Sequence, residues 1–486
     1  MILSGDKMSV CSILFLFIIG KILISSADIK KKYLNYVSLL MIIEVLNLSA
    51  IFILIGNTSI SIKYIMSLFL ILYSIYYVIK SNILIPKFLF YMISILLILL
   101  IVGIISEEVY PYEELIINYE QKIGWDLYVM GIISKEKINI SFINVLILYT
   151  KVFLYLMTTL ILKISFEKKD LVYILNNIIK YTRFIIYYGF IEFIIKNIIG
   201  NLDVIKWFDI IMFGQVSQIS GDNNIYRLTG VTIEPSYFVI SLFNIIILNF
   251  IIKKITNTDS TLLIKFYKFD ILLMIILMSL SGGFSSVWYL FMIAVLYLVL
   301  NRKKSLKSYI YFTIFTLVTI VLCVYIINNP IEGYFGERLN SAFMIIKDIN
   351  NIDMENALFL QSSNLARFVS IHDTIIDFLN RPLLGLGLGL ETAHSTVPML
   401  LVDFGVVGIY LLMRIVLYRV DKSVKYDKLF IFFFFIIVCM PVGIKNIGFE
   451  IFNILFIELT NLYVNKERNE ERNEERNENN NNHCIL

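Results

Sequence analysis

Arginine is concentrated in two segments of this 486-residue chain, 201–235 and 328–395, which together contain four Arg and two Lys. The rest of the chain contains seven Arg and 29 Lys. A guanidinium group is a planar fork that binds phosphate oxygens at two points, which an ammonium group cannot do. The preference for the rarer base therefore indicates recognition of a phosphate-bearing ligand, such as a diphosphate. The four residues are Arg227, Arg338, Arg367 and Arg381.

A structural alternative for these arginines is ion pairing with carboxylates in the same segments. The available partners are Glu234, Glu337 and Asp373.

Histidine follows the same distribution, because two of the three His, His372 and His394, lie in 328–395. A neutral imidazole can accept a proton from a hydroxyl group at neutral pH, which predicts a general base. The alternative for each is a structural, hydrogen-bonded histidine.

The composition indicates which elements position these residues. Hydrophobic residues make up 58% of the chain and charged residues 16%, against about 45–50% and about 25% in soluble proteins. The mean hydropathy is +0.79. We therefore expect an all-α, polytopic membrane bundle of 12–13 spanning helices with large outer loops.

Apolar runs of about 20 residues predict the spans. Lys21 interrupts the first run, for which a cleaved signal peptide is the alternative. The runs lie near 10–27, 33–56, 62–79, 88–105, 141–162, 183–200, 236–252, 269–283, 284–300, 308–327, 396–416, 429–446 and 449–465.

The distribution of Lys and Arg predicts the orientation. If Lys30, Lys31 and Lys32 are cytoplasmic, the inner loops contain 23 basic residues. The large outer loops 106–140, 201–235 and 328–395 then contain nine. This orientation puts the C-terminus in the cytoplasm and the arginine-rich segments outside.

Two segments fall outside the pattern of spans. Residues 166–180 carry an apolar stripe, which predicts a helix on the inner membrane surface, with a solvated loop as the alternative. The polar tail 466–486 is predicted to be disordered or a solvated helix, which leaves 1–465 as the membrane domain. The stripe consists of Leu171, Ile174, Leu175 and Ile178.

Charged residues are rare inside the predicted spans, with Glu44, Lys151 and Glu192 the clearest. They do not form the ladder of carboxylates and histidines that an ion-coupled transporter needs. The four Cys lack metal-ligand spacing, so no metal site and no cofactor are predicted. The net charge of +4 gives no indication of nucleic-acid binding.

Several short motifs resemble those of the bacterial O-antigen polymerase/ligase family. They are Arg-Leu-Thr-Gly at 227–230, Glu-Pro-Ser at 234–236, Ser-Leu-Ser-Gly-Gly at 279–283, Pro-Leu-Leu-Gly-Leu-Gly-Leu-Gly at 382–389, His-Ser at 394–395 and Asp-Phe-Gly-Val-Val-Gly at 403–408. In the third motif an Arg or a similar residue often follows the second Ser, and here Gly282 stands there. Many spans with a large late outer loop are also typical of that family.

The resemblance implies a multi-helix, GT-C-like membrane fold and a metal-independent, inverting glycosyltransferase of the bacterial cytoplasmic membrane. It implies that the donor is an undecaprenyl-diphosphate-linked glycan. Arg227 with Arg338, Arg367 and Arg381 would hold the diphosphate, His394 would be the base, and Glu234 would orient an Arg or bind sugar hydroxyls. His372 would contact substrate, Pro235 would start the next helix, and Gly385, Gly387 and Gly389 would form a tight turn.

The leading hypothesis is therefore a polymerase that joins lipid-linked repeat units of O-antigen or capsule. A chain-length regulator protein is a candidate partner, beside membrane lipid. The alternatives are a ligase of the same superfamily and a polysaccharide flippase or exporter.

Overall fold

The computed structural model is an all-α protein in the residues that it describes, apart from two short antiparallel hairpins. The described residues are 9–45, 51–55, 58–109, 142–213, 216, 221–222, 225–232, 235–255, 268–281, 286, 289–294, 374–387 and 396–418.

The helices with labels are α1 Val10–Ile24, α2 Ile29–Val45, α3 Ile62–Lys80, α4 Lys87–Val109, α5 Phe142–Ser165, α6 Lys168–Phe193, α7 Leu202–Phe213, α8 Pro235–Ile255, α9 Lys268–Leu280, α10 at 374–380 and α11 Thr396–Val416. Residues 289–294 are also helical. A π-helix, Ile194–Ile199, continues directly from α6. The hairpins pair β1 Ile51–Ile55 with β2 Thr58–Ser61, and β3 Gly221–Asp222 with β4 Ile225–Tyr226.

Helix α2 lies between α3 and α6. Tyr33 of α2 is fully buried, and its ring stacks on Tyr77 of α3 with centroids 4.9 Å apart. Polar contacts join α2 to α6 in increasing order along both helices, so the two helices run parallel. These contacts are Lys30 Nζ with Asp170 Oδ2 at 2.6 Å, Asn35 Oδ1 with Tyr173 Oη at 2.6 Å, and Ser38 Oγ with Asn177 Nδ2 at 3.3 Å.

Most predicted apolar runs within the described residues are helices. The run 62–79 is α3, 88–105 lies in α4, 141–162 is almost all of α5, and 396–416 is α11. The runs 308–327, 429–446 and 449–465 and the tail 466–486 lie outside the described residues, as do most of the loops 106–140 and 328–395.

The predicted span 33–56 is wrong in its second half. Helix α2 ends at Val45, and Ile51–Ile55 pairs with Thr58–Ser61 as a hairpin. The segment is rich in β-branched Ile, and Gly-Asn at 56–57 separates two such runs. This combination favours a two-residue hairpin connection over a helix.

The helix predicted at 166–180 is confirmed from Lys168, but it is the first half of α6, a continuous helix of 26 residues, and its apolar stripe does not lie on a surface. The apolar stripe that suggested membrane contact is buried inside the protein, where α6 packs on α2. An amphipathic pattern shows that one face of a helix is covered, but it does not identify the covering surface. The buried residues are Leu171, Ile174, Leu175 and Ile178.

The segment 201–235 contains more structure than the predicted loop. Helix α7 and the β3–β4 hairpin both lie in it.

One helical stretch of the described residues, Val397–Ile415 in α11, is long and apolar enough to cross a membrane by length and composition. Five shorter apolar stretches of 10–17 residues accompany it. They are Val10–Ile24, Ile65–Lys80, Lys87–Val102, Val152–Leu162 and Pro235–Ile247.

Candidate functional site

The segment 225–232 crosses the end of the helix formed by α6 and the π-helix. The side-chain amide of Asn197 anchors strand β4, because it both donates to and accepts from the backbone of Tyr226. The Tyr226 N–H donates to Asn197 Oδ1 at 2.6 Å, and Asn197 Nδ2 donates to the Tyr226 carbonyl at 3.0 Å. The side chain of Asn197 thus makes two hydrogen bonds with β4 of the kind that a further neighbouring strand would make.

The carboxylate of Glu192, near the end of α6, binds the next part of this segment. Its Oε1 accepts from the Thr229 N–H at 3.0 Å and from Thr229 Oγ1 at 2.7 Å, and its Oε2 accepts from the Gly230 N–H at 2.6 Å. Glu192 and Thr229 have no exposed surface. A buried carboxylate is tolerated only when its oxygens are bonded, and both are bonded here.

Lys196 supplies the opposite charge from the π-helix. Its Nζ lies 2.5 Å from Glu192 Oε1, one helical turn away, and donates to Thr229 Oγ1 at 3.3 Å and to the Arg227 carbonyl at 3.5 Å. Lys196 is fully buried as well. π-helical turns are rare in proteins, and those that occur are frequently at functional sites.

Arg227 lies at the C-terminal end of α9. Its side chain is 9% exposed, and its Nε donates to the Ser281 carbonyl at 2.8 Å. Helix α9 ends at Leu280, so this carbonyl is one of the groups that the helix leaves without a partner at its negative end. The guanidinium therefore stabilises the helix terminus, and this bond fixes the orientation of its plane.

Two glycines allow α8 to close over this segment. Phe238 of α8 lies against both Gly189 of α6 and Gly230, and a Cβ at Gly189 would lie 2.6 Å from Phe238 Cζ. Gly230 also has a φ of +56°, a conformation that favours glycine. We call Glu192, Lys196, Arg227, Thr229 and Gly230 the arginine cluster.

A second arrangement joins the loop 381–387 to α11. Gly405 interrupts α11 with φ 60° and ψ 179°, a region that is essentially restricted to glycine. The loop binds the backbone groups on both sides of the interruption. The N–H of Leu386 donates to the Val402 carbonyl at 2.7 Å, that of Gly387 to Asp403 at 3.2 Å, that of Val406 to Pro382 at 2.9 Å and that of Val407 to Leu383 at 3.1 Å.

Glycine is required on both sides of this contact. A Cβ at Gly385, whose φ is +71°, would lie 2.6 Å from the Val402 carbonyl oxygen and 2.7 Å from the Gly405 nitrogen. A Cβ at Gly405 would lie 2.5 Å from the Gly385 nitrogen. The interrupted helix also carries Asp403, whose side chain is fully buried. Through α11 this arrangement packs on α4.

The structure describes five of the predicted site residues. Arg227 belongs to the arginine cluster, Pro235 is the first residue of α8, and Gly385 and Gly387 form the contact with α11. Arg381 is half-buried after α10, where its carbonyl accepts from the Gly385 N–H at 3.1 Å. Six predicted residues lie outside the described residues: Glu234, Arg338, Arg367, His372, Gly389 and His394.

The pairing of Glu192 with Lys196 was missed at the level of sequence. Glu192 was recognised as a charge within an apolar run, but Lys196 in the same run was not connected with it. Opposite charges four residues apart lie on one face of a helix. Two such charges inside a predicted span are a usable signal for a buried pair.

Within the described ranges, no group of three or more His, Cys, Asp or Glu side chains could hold a metal ion. Comparisons with protein-family models, with curated proteins and with solved structures found no match in any of the three.

Proposed function

We propose that the chain is a polytopic membrane protein. Helix α4 supports this proposal because it carries large apolar side chains on every side. Leu89 and Leu96 are buried, whereas Phe90, Tyr91 and Ile98 are more than half exposed. Such a helix is typical of a lipid environment, since exposed apolar surface of this extent is unfavourable in water.

The order of contacts along α6 supports an orientation. Lys30 pairs with Asp170 in its first turn, Arg183 pairs with Asp270 further along at 3.4 Å, and the Arg227 segment contacts its far end. Lys30, which is assigned to the cytoplasmic side, therefore lies at the opposite end of α6 from the Arg227 segment. Labelling tests this orientation through Lys31→Cys and Asn201→Cys, both at exposed positions, in a background without the four native cysteines.

We expect a membrane-impermeant maleimide to label position 201 in intact cells, and position 31 only after lysis. The opposite pattern would exclude an extracytoplasmic arginine cluster and with it the function proposed below.

We further propose that the protein is a glycosyltransferase that polymerises undecaprenyl-diphosphate-linked repeat units of a surface polysaccharide at the outer face of the cytoplasmic membrane. The observation that carries this proposal is the buried Arg227, whose Nε is hydrogen-bonded to the carbonyl at the end of α9. A fixed cation of this kind stabilises charge that develops on a leaving group without reorganisation during the reaction.

In the proposed reaction, an acceptor hydroxyl oxygen forms a bond to the anomeric carbon while the bond from that carbon to the diphosphate oxygen breaks. His394 takes the hydroxyl proton, and the lipid diphosphate leaves with the bonding electrons. Arg227, with Arg338, Arg367 and Arg381, holds the diphosphate. A direct displacement of this kind inverts the anomeric centre.

Two other functions give different products when the site is damaged. A ligase would accumulate long lipid-linked chains that are never transferred to their acceptor. A flippase would leave single units at the inner face. The clustering of Arg in segments outside the predicted spans favours the polymerase or the ligase over the flippase, which needs a cationic cavity among the helices.

Reconstitution of the purified protein in vesicles with a lipid-linked repeat unit and no added metal tests the proposal. The wild type should produce a ladder of chain lengths, and Arg227→Lys should lose at least about tenfold in rate, because a lysine cannot bind two oxygens of one phosphate. Arg183→Lys is the matched control, since Arg183 is a partly buried arginine that pairs with Asp270 and is not assigned to the diphosphate. Equal rates for the two variants, or no ladder from the wild type, would refute the assignment.

A further inference from the structure

An open groove of about 600 Å³ lies between α1, α2 and α6, and its lining residues do not include those of the arginine cluster. Its walls show the same change of polarity on all three helices. On α6 the polar Tyr173 and Asn177 lie nearer the start and Phe184 lies further along. On α2, the polar Asn35 precedes the apolar Leu39 and Ile42. Helix α1 runs in the opposite direction, so its apolar residues, from Leu14 to Ile18, precede the polar Lys21 and Ser25.

The groove therefore has one polar end and one apolar end. The polar end lies beside the Lys30–Asp170 ion pair, where Lys32 Nζ also donates to the Leu23 carbonyl of α1 at 2.7 Å. Asp170 is neutralised by Lys30 at 2.6 Å, whereas Lys21 has no carboxylate partner within the described part of the chain. The charge of the polar end is positive.

We propose that this groove binds an anionic phospholipid, with the phosphate at Lys21 and one acyl chain against Leu39, Ile42 and Phe184. An anionic headgroup matches the unneutralised ammonium of Lys21, and Asn177 Nδ2, which donates one N–H to Ser38 Oγ, carries a second N–H donor. The acyl chain matches the apolar end, where burial of methylene groups is favourable.

The position of the polar end distinguishes this lipid from the proposed glycan donor. Asn177 and Glu192 are 15 residues apart on α6, which corresponds to about 22 Å along the helix axis. A lipid whose headgroup lies at Lys21 therefore cannot present a diphosphate to Arg227. The proposal rests on the membrane placement above but not on the glycosyl transfer.

Native mass spectrometry of the purified, delipidated protein tests the proposal, with phosphatidylglycerol and phosphatidylcholine added separately. We expect preferential retention of phosphatidylglycerol by the wild type. Lys21→Met should reduce this retention by about fivefold, because one basic residue near a membrane surface contributes about that factor. Lys21→Arg should restore it.

Two further variants control for the fold and for the position. Lys80→Met removes another exposed lysine from the last turn of α3 and should leave retention unchanged. Leu14→Trp adds bulk at a half-exposed residue of the groove wall and should reduce retention of both lipids. Equal retention of the two lipids by the wild type, or equal effects of Lys21→Met and Lys80→Met, would overturn the proposal, as would displacement of phosphatidylglycerol by equimolar polyprenyl phosphate.

Discussion

The buried charge pair of the arginine cluster makes a strong prediction about stability. The substitution Glu192→Gln keeps the size of the side chain and removes its charge. The glutamine oxygen can still accept from the N–H of either Thr229 or Gly230. The glutamine NH₂ group would then face the other of these two N–H donors, which in the wild type bond to Glu192 at 2.6–3.0 Å. Lys196, which has no exposed surface, would lose its counter-charge.

The expected cost follows from this geometry. Breaking a buried ion pair by removing one partner costs about 3–5 kcal/mol, because the other charge remains buried without compensation. Removing both charges is far less costly, so Glu192→Gln combined with Lys196→Met should return to within about 2 kcal/mol of the wild type. The two substitutions should therefore be strongly non-additive.

Unfolding by SDS in mixed micelles, followed by circular dichroism, measures these differences. A matched control is Glu167→Gln, because Glu167 Oε2 also pairs with a lysine, Lys169, at 2.8 Å. That pair is exposed, with side-chain exposures of 65% and 76%, so its loss should cost at most about 1 kcal/mol. The contrast isolates burial as the cause.

Two outcomes would refute this reasoning. If Glu192→Gln were no more destabilising than Glu167→Gln, the buried pair would not be an important source of stability. If the double variant were as unstable as Glu192→Gln alone, the cost would come from the lost hydrogen bonds to 229–230 and not from the unpaired lysine.

Two further predictions concern backbone strain and pH. Gly405→Ala should lower the free energy of unfolding by about 1–3 kcal/mol, because Gly405 has φ 60° and other residues are strained in that conformation. The control Gly20→Ala should leave stability unchanged, since nothing lies within 4 Å of the added Cβ. Equal melting temperatures for the two variants would contradict this prediction. The hydrogen bond and the charge of Lys169 lower the pKa of Glu167, so the pair adds stability above the unfolded pKa and loses it as the pH falls through the folded value. The melting temperature of the wild type should therefore fall slightly more than that of Glu167→Gln between about pH 5 and about pH 3, and parallel curves would exclude a contribution from the pair.

The helical architecture could be predicted from the sequence where a long apolar run has no competing local preference. The bounds of α11 follow directly from the run 396–416. Its interruption at Gly405 could not be predicted in this way, since a glycine within an apolar run is compatible with an unbroken helix. The interruption depends on hydrogen bonds to the loop 381–387, which lies outside this apolar run, such as the bond from Leu386 to Val402.

Tertiary contacts decided the cases in which the sequence misled. The stripe of α6 was assigned to the membrane surface because its period indicates one covered face and nothing more. The contacts of Tyr173 with Asn35, 138 residues apart, and of Lys30 with Asp170 bring a second helix to that face. Such pairings connect distant parts of the chain, and no local pattern encodes them.

The residue type of Arg227 makes it a candidate site residue in the sequence, but its position at a helix terminus could not be predicted. The bond from its Nε to Ser281 spans 54 residues, and the segment that carries it is fixed by Glu192, which lies 37 residues from Thr229. In the sequence the arginine is therefore indistinguishable from a solvent-exposed ligand-binding residue. In the structure it is 9% exposed, and any ligand must approach through its remaining edge.

This geometry makes Arg227→Lys a more informative variant than Arg227→Ala. The alanine would remove the donor to the Ser281 carbonyl and the positive charge at the end of α9, so a loss of activity could result from a displaced helix. A lysine ammonium can still donate one bond to that carbonyl and keeps the favourable interaction with the helix dipole. It lacks only the second, parallel donor edge of the guanidinium. If Arg227→Lys retains the melting temperature of the wild type and loses the polysaccharide ladder, the loss must come from the ligand side of the group. If both properties are retained, Arg227 serves only to terminate α9, and the diphosphate must be held elsewhere.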